Sequence, residues 1–353
     1  MVGTDGRLRI AVLFGGRSAE HEVSVLSATN VVAALDPARY DVVPVYVTSD
    51  GRWLPSSFQD GELARPTSGP ELCLVPGGLG RIIALAKQDQ AHELPKIDAL
   101  FPVLHGLHGE DGSVQGLAQV ARVPLVGCGI LGSATALDKC VAKQLFTAAG
   151  LPTARSVTII PGDVPSFDAL HATLGLPVFV KPARQGSSVG VSKVGSQADY
   201  DTALAEGFAH DSKLLAEEFI AAREIECSVL EDTDGGIFVS RPGEIVPAES
   251  HGFYSYEAKY VDADGALLKV PADLPPTIES RMREMAERAF RALGCDAMAR
   301  VDFFVAGERI LINEVNTIPG FTDISMYAKA MSASGIDYAG LLDRLIAHGL
   351  ARA

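Results

Sequence analysis

Two segments late in the chain carry the residues best suited to hold a cation. Ala299-Arg300-Val301-Asp302 and Leu311-Ile312-Asn313-Glu314-Val315-Asn316 read as the arms of a hairpin. If Gly307, Glu308 and Arg309 form a three-residue loop, Asp302 lies opposite Glu314 and Arg300 opposite Asn316, and alternation puts all four side chains on one face. Two carboxylates with Cβ atoms roughly 5 Å apart repel each other unless a cation sits between them. Oxygen donors of this kind suit magnesium, which takes one or two carboxylates and completes its shell with phosphate and water. The same residues would also make a solvated hairpin face on which Arg300 neutralises Asp302.

A second constellation could hold the phosphate. Val178-Phe179-Val180-Lys181-Pro182 reads as a strand ending in lysine, followed by Ala183-Arg184-Gln185-Gly186-Ser187-Ser188-Val189-Gly190-Val191. Such a loop can aim backbone N–H groups and hydroxyls at a phosphate while the lysine supplies charge. It is not a Walker A loop, because no Gly-Lys dipeptide occurs and the loop returns into a strand instead of opening a helix. A flexible surface hairpin is the competing reading.

Three further loops are polar or glycine-rich. Gly127-Cys128-Gly129-Ile130-Leu131-Gly132 satisfies G-x-G-x-x-G, but the strand before it is short and Pro152 stands where a ribose-binding acid is expected, so dinucleotide binding is disfavoured. Its backbone could still serve a substrate carboxylate. Gly15-Gly16-Arg17-Ser18-Ala19-Glu20-His21-Glu22 and His105-Gly106-Leu107-His108-Gly109-Glu110-Asp111-Gly112 follow strands of one sheet, so both can face one cleft, where Glu20 could hold an ammonium group. Helix capping and turn chemistry explain the same acids without a ligand, and His105 and His108 lack the further ligand a zinc site needs.

These loops need elements to position them. Strands are expected at Arg9–Phe14, Val42–Val47 and Ala99–Leu104, with a helix from the N-cap Ser18 to Leu35 whose core face is Val25, Ala28, Val32 and Leu35. This makes an N-terminal α/β unit with a mostly parallel sheet and its functional edge at the loops after the strands. A helix from about Thr135 to Ala149 stops at Gly150 and Pro152. From Ser156 to Leu230 the pattern is strand, helix, strand, loop, strand, helix, strand. Residues from about Pro247 to Lys269 lack periodicity yet carry Phe253, Tyr254, Tyr256 and Tyr260, which favours a closing lid. Strands at Ala299–Val305 and Ile310–Val315 precede a helical C-terminus, and Gly51 to Pro95 receives no assignment.

With 353 residues, 47% of them hydrophobic, the chain can bury the cores of two or three domains. A formal charge of −14 disfavours nucleic acid and anionic membranes as partners. No apolar run approaches the ~20 residues of a membrane span, so a cytoplasmic location is expected. Cys73, Cys128, Cys140, Cys227 and Cys295 are scattered without C-x-x-C spacing and are expected to be reduced and buried.

Taken in order, GGRSAEHEVS, HGLHGEDG, VKPARQGSSVGVSKV, FYSYEAKY, ARVDFF and NEVNTIPGFTDISM resemble the D-alanine–D-alanine ligase family, over Gly15 to Met326. The resemblance implies a three-domain ATP-grasp fold, α/β and α+β, with a Rossmann-like N-terminal domain. The domains are expected at 1–134, 135–222 and 223–353. It implies ATP, two magnesium ions with manganese as a substitute, D-alanine as substrate and a homodimer. Lys139, Lys181, Ser188, Glu217, Phe219, Ile220, Glu224 and Lys259 are the implied ATP contacts, and Asp302, Glu314 and Asn316 the implied metal ligands. Glu20, Ser187, Arg300, Gly320, Tyr260 and Ser325 are the implied catalytic residues. Glu20, His105, Arg300, Ser325 and Met326 are implied to meet substrate. Met326, where leucine is common, and Ala183, where serine is common, depart from the family pattern without touching its chemistry. Relatives that take D-lactate or D-serine as second substrate differ in the lid, so the intact Glu257-Ala258-Lys259-Tyr260 favours D-alanine.

Overall fold

The computed structural model describes residues 6–86, 91–247, 266–322 and 324–352. The aromatic lid positions Phe253, Tyr254, Tyr256 and Tyr260, with Lys259, lie outside the described residues. The ends of that region are strands: Gly243–Pro247 pairs antiparallel with Ala266–Lys269.

Leu8–Gly15 pairs parallel with Tyr40–Val47 on one side and Ala99–Pro102 on the other, and Trp53–Pro55 joins antiparallel at the edge. The central strand is apolar on both faces because helices cover both. On one face Ile10, Val12 and Phe14 meet Val25, Ala28 and Val31 of helix His21–Ala34; on the other, Ala11 and Leu13 meet Val114 and Ala118 of helix Ser113–Ala121. The first helix starts later than expected, and Ser18 does not cap it. The Ser18 hydroxyl instead donates to the His105 carbonyl at 2.6 Å and accepts from the Glu20 N–H. The unassigned stretch after Gly51 holds short strands, among them the antiparallel Glu71–Leu74, Ile82–Leu85 and Ala91–Leu94. Leu72 and Leu74 alternate inward there, which turns Cys73 outward. Cys73 is therefore exposed, against expectation, while the other four cysteines are buried, and all five are free thiols.

The single helix expected from Thr135 to Ala149 is two helices, Ile130–Leu137 and Lys139–Ala148. Asp138 adopts an extended conformation between them, and its carboxylate accepts from the N–H groups of Cys140 and Val141, an N-cap that ends one helix and starts the next.

The middle of the chain forms an antiparallel sheet in the order Ser156–Ile159, Leu214–Glu218, Val178–Pro182, Ser192–Val194, backed by helices Phe167–Leu174 and Gln197–His210. A third sheet runs Ala266–Lys269, Gly243–Pro247, Arg223–Glu231, Met298–Ala306, Arg309–Asn316. Side chains alternate across it. Cys227 and Val229 pack on Met282 and Ala286 of helix Pro276–Ala292, while the Ser228 hydroxyl reaches the Tyr327 carbonyl on the other face. Tyr327 and Met331 of helix Met326–Ala333 then continue into the core beneath the N-terminal sheet. Among the described residues no helix is long and apolar enough to cross a membrane.

Candidate active site

A cavity of about 440 Å³ opens between the second and third sheets. Lys139, Lys181, Ser187, Ser188, Glu217, Phe219, Ile220, Glu224 and Glu314 all line it, together with Asn313, Phe304 and Ile245. Residues spread over about half of the chain thus converge on one space whose apolar wall suits a flat ring and whose lysines suit phosphate. Lys139 donates from Nζ to the Gln185 carbonyl at 2.8 Å and stands 3.5 Å from Glu314 Oε2. Its charge therefore meets the Gly/Ser loop at the end nearest the carboxylates.

Glu217 sits on the strand beside Lys181 and binds it at 2.7 Å. Its other oxygen pairs with Lys143. Burial by itself would raise the carboxyl pKa, but the two ammonium groups outweigh it and hold Glu217 below the usual range. Burial opposes the charge of Lys181 too, yet Glu217 and Glu314 keep its pKa above the usual value.

At the hairpin, Arg300 faces Asn316 and Asp302 faces Glu314, the expected pairing. The expected turn is wrong, however. Ala306 pairs with Arg309, leaving a two-residue loop, Gly307-Glu308, that would by itself place Asp302 opposite Asn313. A β-bulge between Asp302 and Phe303 shifts the register by one, and both Asn313 and Glu314 then line the cavity. Arg300 holds Asp302 through two bonds of 2.7 Å, Asn316 Nδ2 adds a third at 3.0 Å, and Glu226 lies 2.9 Å from Arg300. The neutralising Arg300–Asp302 pair thus exists, beside and not instead of the facing carboxylates. Burial disfavours the Arg300 charge, but Asp302 and Glu226 reverse this and raise its pKa well above normal. The donors fit a hard divalent cation: oxygens only, with Asn313 Oδ1 buried and without a hydrogen-bond partner nearby. Among the described residues no group of three or more His, Cys, Asp or Glu is arranged to hold a metal, so a cation here would need Asn316 and ligand oxygens to complete its shell.

The two N-terminal loops do meet in one cleft, and the Gly/Ser loop joins them. Ser187 donates its hydroxyl to Glu20 Oε1. A Cβ on Gly186 would stand 2.6 Å from Glu20 Oε2, and one on Gly106, where φ is +72°, would stand 3.1 Å from the same atom. Glycine at both positions lets two backbones close around one carboxylate. His105 is buried, with Nδ1 against the Ile318 carbonyl at 2.9 Å and Nε2 against the Ser27 hydroxyl at 3.1 Å. Burial lowers its pKa, and Glu20 opposes that shift without cancelling it.

Gly320, Ser325 and Met326 lie together on the loop that enters helix Met326–Ala333. A Cβ on Gly320 would come within 2.6 Å of Ser325 Oγ, which accepts from the Thr322 N–H at 3.0 Å. Met326 packs its buried side chain under Gly243, so any contribution to a ligand comes from the backbone at the helix start. The glycine-rich decoy does not reach this site: Gly129 donates its N–H to Asp296 at 2.7 Å, which ties the loop to the C-terminal sheet.

Sequence reasoning missed Glu110, Lys143, Glu226 and Asn313. Glu110 accepts from Gly106 N–H and Ile318 N–H, each at 2.8 Å, and burial followed by the Glu20 charge pushes its pKa up to about 7. A signal existed for three of these. Glu110 stands in HGLHGEDG and Asn313 beside Glu314 in NEVN, and Lys143 lies four residues after Lys139, on the same helix face.

Two family models match the chain, the D-ala D-ala ligase N-terminus over residues 9–128 and the D-ala D-ala ligase C-terminus over residues 145–347. A D-alanine--D-alanine ligase A of Brucella suis is 66% identical over 98% of this chain and 99% of its own length. The D-alanine-D-alanine ligase structure from Coxiella burnetii superposes with a TM-score of 0.84 at 33% identity, covering 98% of this chain and 94% of that one. The VanG D-Ala:D-Ser ligase structure from Enterococcus faecalis superposes at 0.83 and 33% identity, covering 97% and 99%. With both halves of the chain matched, and with a relative of such identity over nearly the full length, the chain belongs to the D-alanine–D-alanine ligase family.

Proposed function

We propose that this chain joins two D-alanine molecules into D-alanyl-D-alanine with conversion of ATP to ADP and phosphate, a step of peptidoglycan precursor synthesis. The observation that carries the reading is the hydrogen bond from Ser187 to Glu20, which ties the loop lining the phosphate cavity to the carboxylate suited to an amino-acid ammonium group.

In this reading adenine lies against Phe219 and Ile220 with Glu217, ribose meets Glu224, and Lys139, Lys181 and Ser188 take the phosphates. Glu20 binds the ammonium of the first D-alanine beside His105, and Ser325 with the backbone at Met326 receives the carboxylate of the second. The carboxylate of the first D-alanine attacks the γ-phosphoryl group and forms D-alanyl phosphate as ADP leaves. The neutral amine of the second D-alanine attacks that carbonyl, Arg300 and the Gly320 N–H stabilise the developing oxyanion, and phosphate departs with the proton that the nitrogen gives up. Asp302, Glu314 and Asn316 are the proposed ligands for two magnesium ions, with manganese as a substitute. When bound, such cations offset charge on the transferred phosphoryl group. Tyr260 and Lys259 are assigned to a lid that excludes water from the acyl phosphate. Domains at 1–134, 135–222 and 223–353, a homodimer and a cytoplasmic location complete the proposal.

A second acceptor is the alternative, since one structural relative is named for D-serine. The test is incubation with ATP, magnesium and D-alanine, following phosphate and product mass. Dipeptide matched by phosphate, and absent with L-alanine, supports the reading. Phosphate without dipeptide, or more product from D-serine or D-lactate than from D-alanine at neutral pH, sinks it.

A further inference from the structure

Helix Lys139–Ala148 sends two lysines toward the nucleotide cavity, and they end in different places. Lys139 reaches the cavity, whereas Lys143, one turn further along the same face, does not line it. Lys143 Nζ lies behind the cavity wall, paired with Glu217 Oε1 and 3.4 Å from the Ala154 carbonyl. Its side chain is 6% exposed and that of Glu217 is 5% exposed. On the cavity side, Lys181 binds the other oxygen of the same carboxylate at 2.7 Å.

The charges in this cluster do not cancel. One carboxylate faces two ammonium groups, so the trio is positive by one unit in a place where water screens poorly. With Lys143 in place, Lys181 can turn toward a phosphate while Glu217 keeps a partner. Without Lys143, the same movement would strand Glu217 as a buried, unpaired anion, the costliest arrangement open to such a group. We propose that Lys143 is a positioning residue for the nucleotide: by pairing with Glu217 from behind, it frees the Lys181 ammonium for the phosphate chain. This rests on the reading of the cavity as the ATP site. It explains why a lysine with no access to the ligand is buried at this point, where an apolar side chain would otherwise pack. Burial lowers the Lys143 pKa while Glu217 opposes the shift, as expected for a charge kept in the interior by one partner.

The test compares ADP with adenosine, which has no phosphates for Lys181 to meet. Both are titrated calorimetrically, with magnesium present, into the wild type, K143M, K143R and the double variant K143M/E217Q, and the ratio of the two dissociation constants is read. In K143M the ADP constant should rise about tenfold, about 1.4 kcal/mol, with adenosine changed far less. K143R should keep the wild-type ratio. In the double variant the carboxylate charge that holds Lys181 is gone, so the ratio should return toward wild type even if both ligands bind more weakly. Thermal melting identifies a variant that does not fold, and K143Q then replaces K143M. A K143M ratio equal to wild type, equal weakening of both ligands, or no recovery in the double variant overturns the proposal. A wild type that binds ADP no better than adenosine, or a K181M variant that binds ADP as well as wild type does, overturns the ATP assignment of the cavity instead.

Discussion

The Ser187 hydroxyl donates to the Glu20 carboxylate across 167 positions of sequence. This bond brings the Gly/Ser loop onto the N-terminal cleft, and with Gly106 and Gly186 it encloses a single anion between two backbones. An anion so enclosed is suited to a primary ammonium group. Glu20→Gln keeps the shape and removes the charge, and a charge-assisted bond is worth about 1.5–3 kcal/mol. The expected result is a rise of at least about tenfold in KM for D-alanine, with ATP binding little changed. An unchanged D-alanine KM would remove Glu20 from the site.

Glu314→Gln tests the metal assignment. It keeps the bulge and the pairing with Asp302, but it halves the carboxylate charge facing the phosphates. Loss of metal stabilisation of several kcal/mol corresponds to a fall in kcat of at least about a hundredfold. Circular dichroism and melting temperature should stay near wild type. Retained turnover at saturating magnesium would show that the cation is held elsewhere.

Arg300 lies partly buried between Asp302 and Glu226, and its removal takes one ion pair from each. Arg300→Met should therefore lower unfolding stability by about 1.5–3 kcal/mol, the scale of a lost charged hydrogen bond. Urea unfolding measures this. A loss below about 1 kcal/mol would mean that the two acids protonate or relax at little cost.

Glu110 makes stability depend on pH. Its folded pKa is raised from 4.5 to about 7, so between these values the folded state binds more protons than the unfolded state. Stability then falls as pH rises through that window. The unfolding free energy of the wild type should fall by about 3 kcal/mol relative to that of Glu110→Gln from pH 4.5 to pH 7.5. Unfolding at a series of pH values measures it, and parallel curves for the two proteins would contradict the raised pKa.

The sequence by itself determined the main elements and which residue types could do chemistry. Apolar runs such as Ile10 to Phe14 have few ways to be buried, and facing acids such as Asp302 and Glu314 demand a partner, so both could be read locally. The hairpin is instructive, because the facing pair is as expected while the turn is one residue shorter, a bulge restoring the register. Bulges arise from packing on both faces of a sheet and leave little trace in residue type. Asp138 likewise broke an expected helix in two by capping, a choice that hydrophobic periodicity does not register. What only the tertiary structure decided was the set of long-range pairings: Ser187 with Glu20, Glu110 with Ile318, Lys143 with Glu217. Each joins residues far apart in sequence, so no local pattern names the partner, and each depends on burial, which removes water as the competing partner and makes a remote charge or N–H group the one that counts.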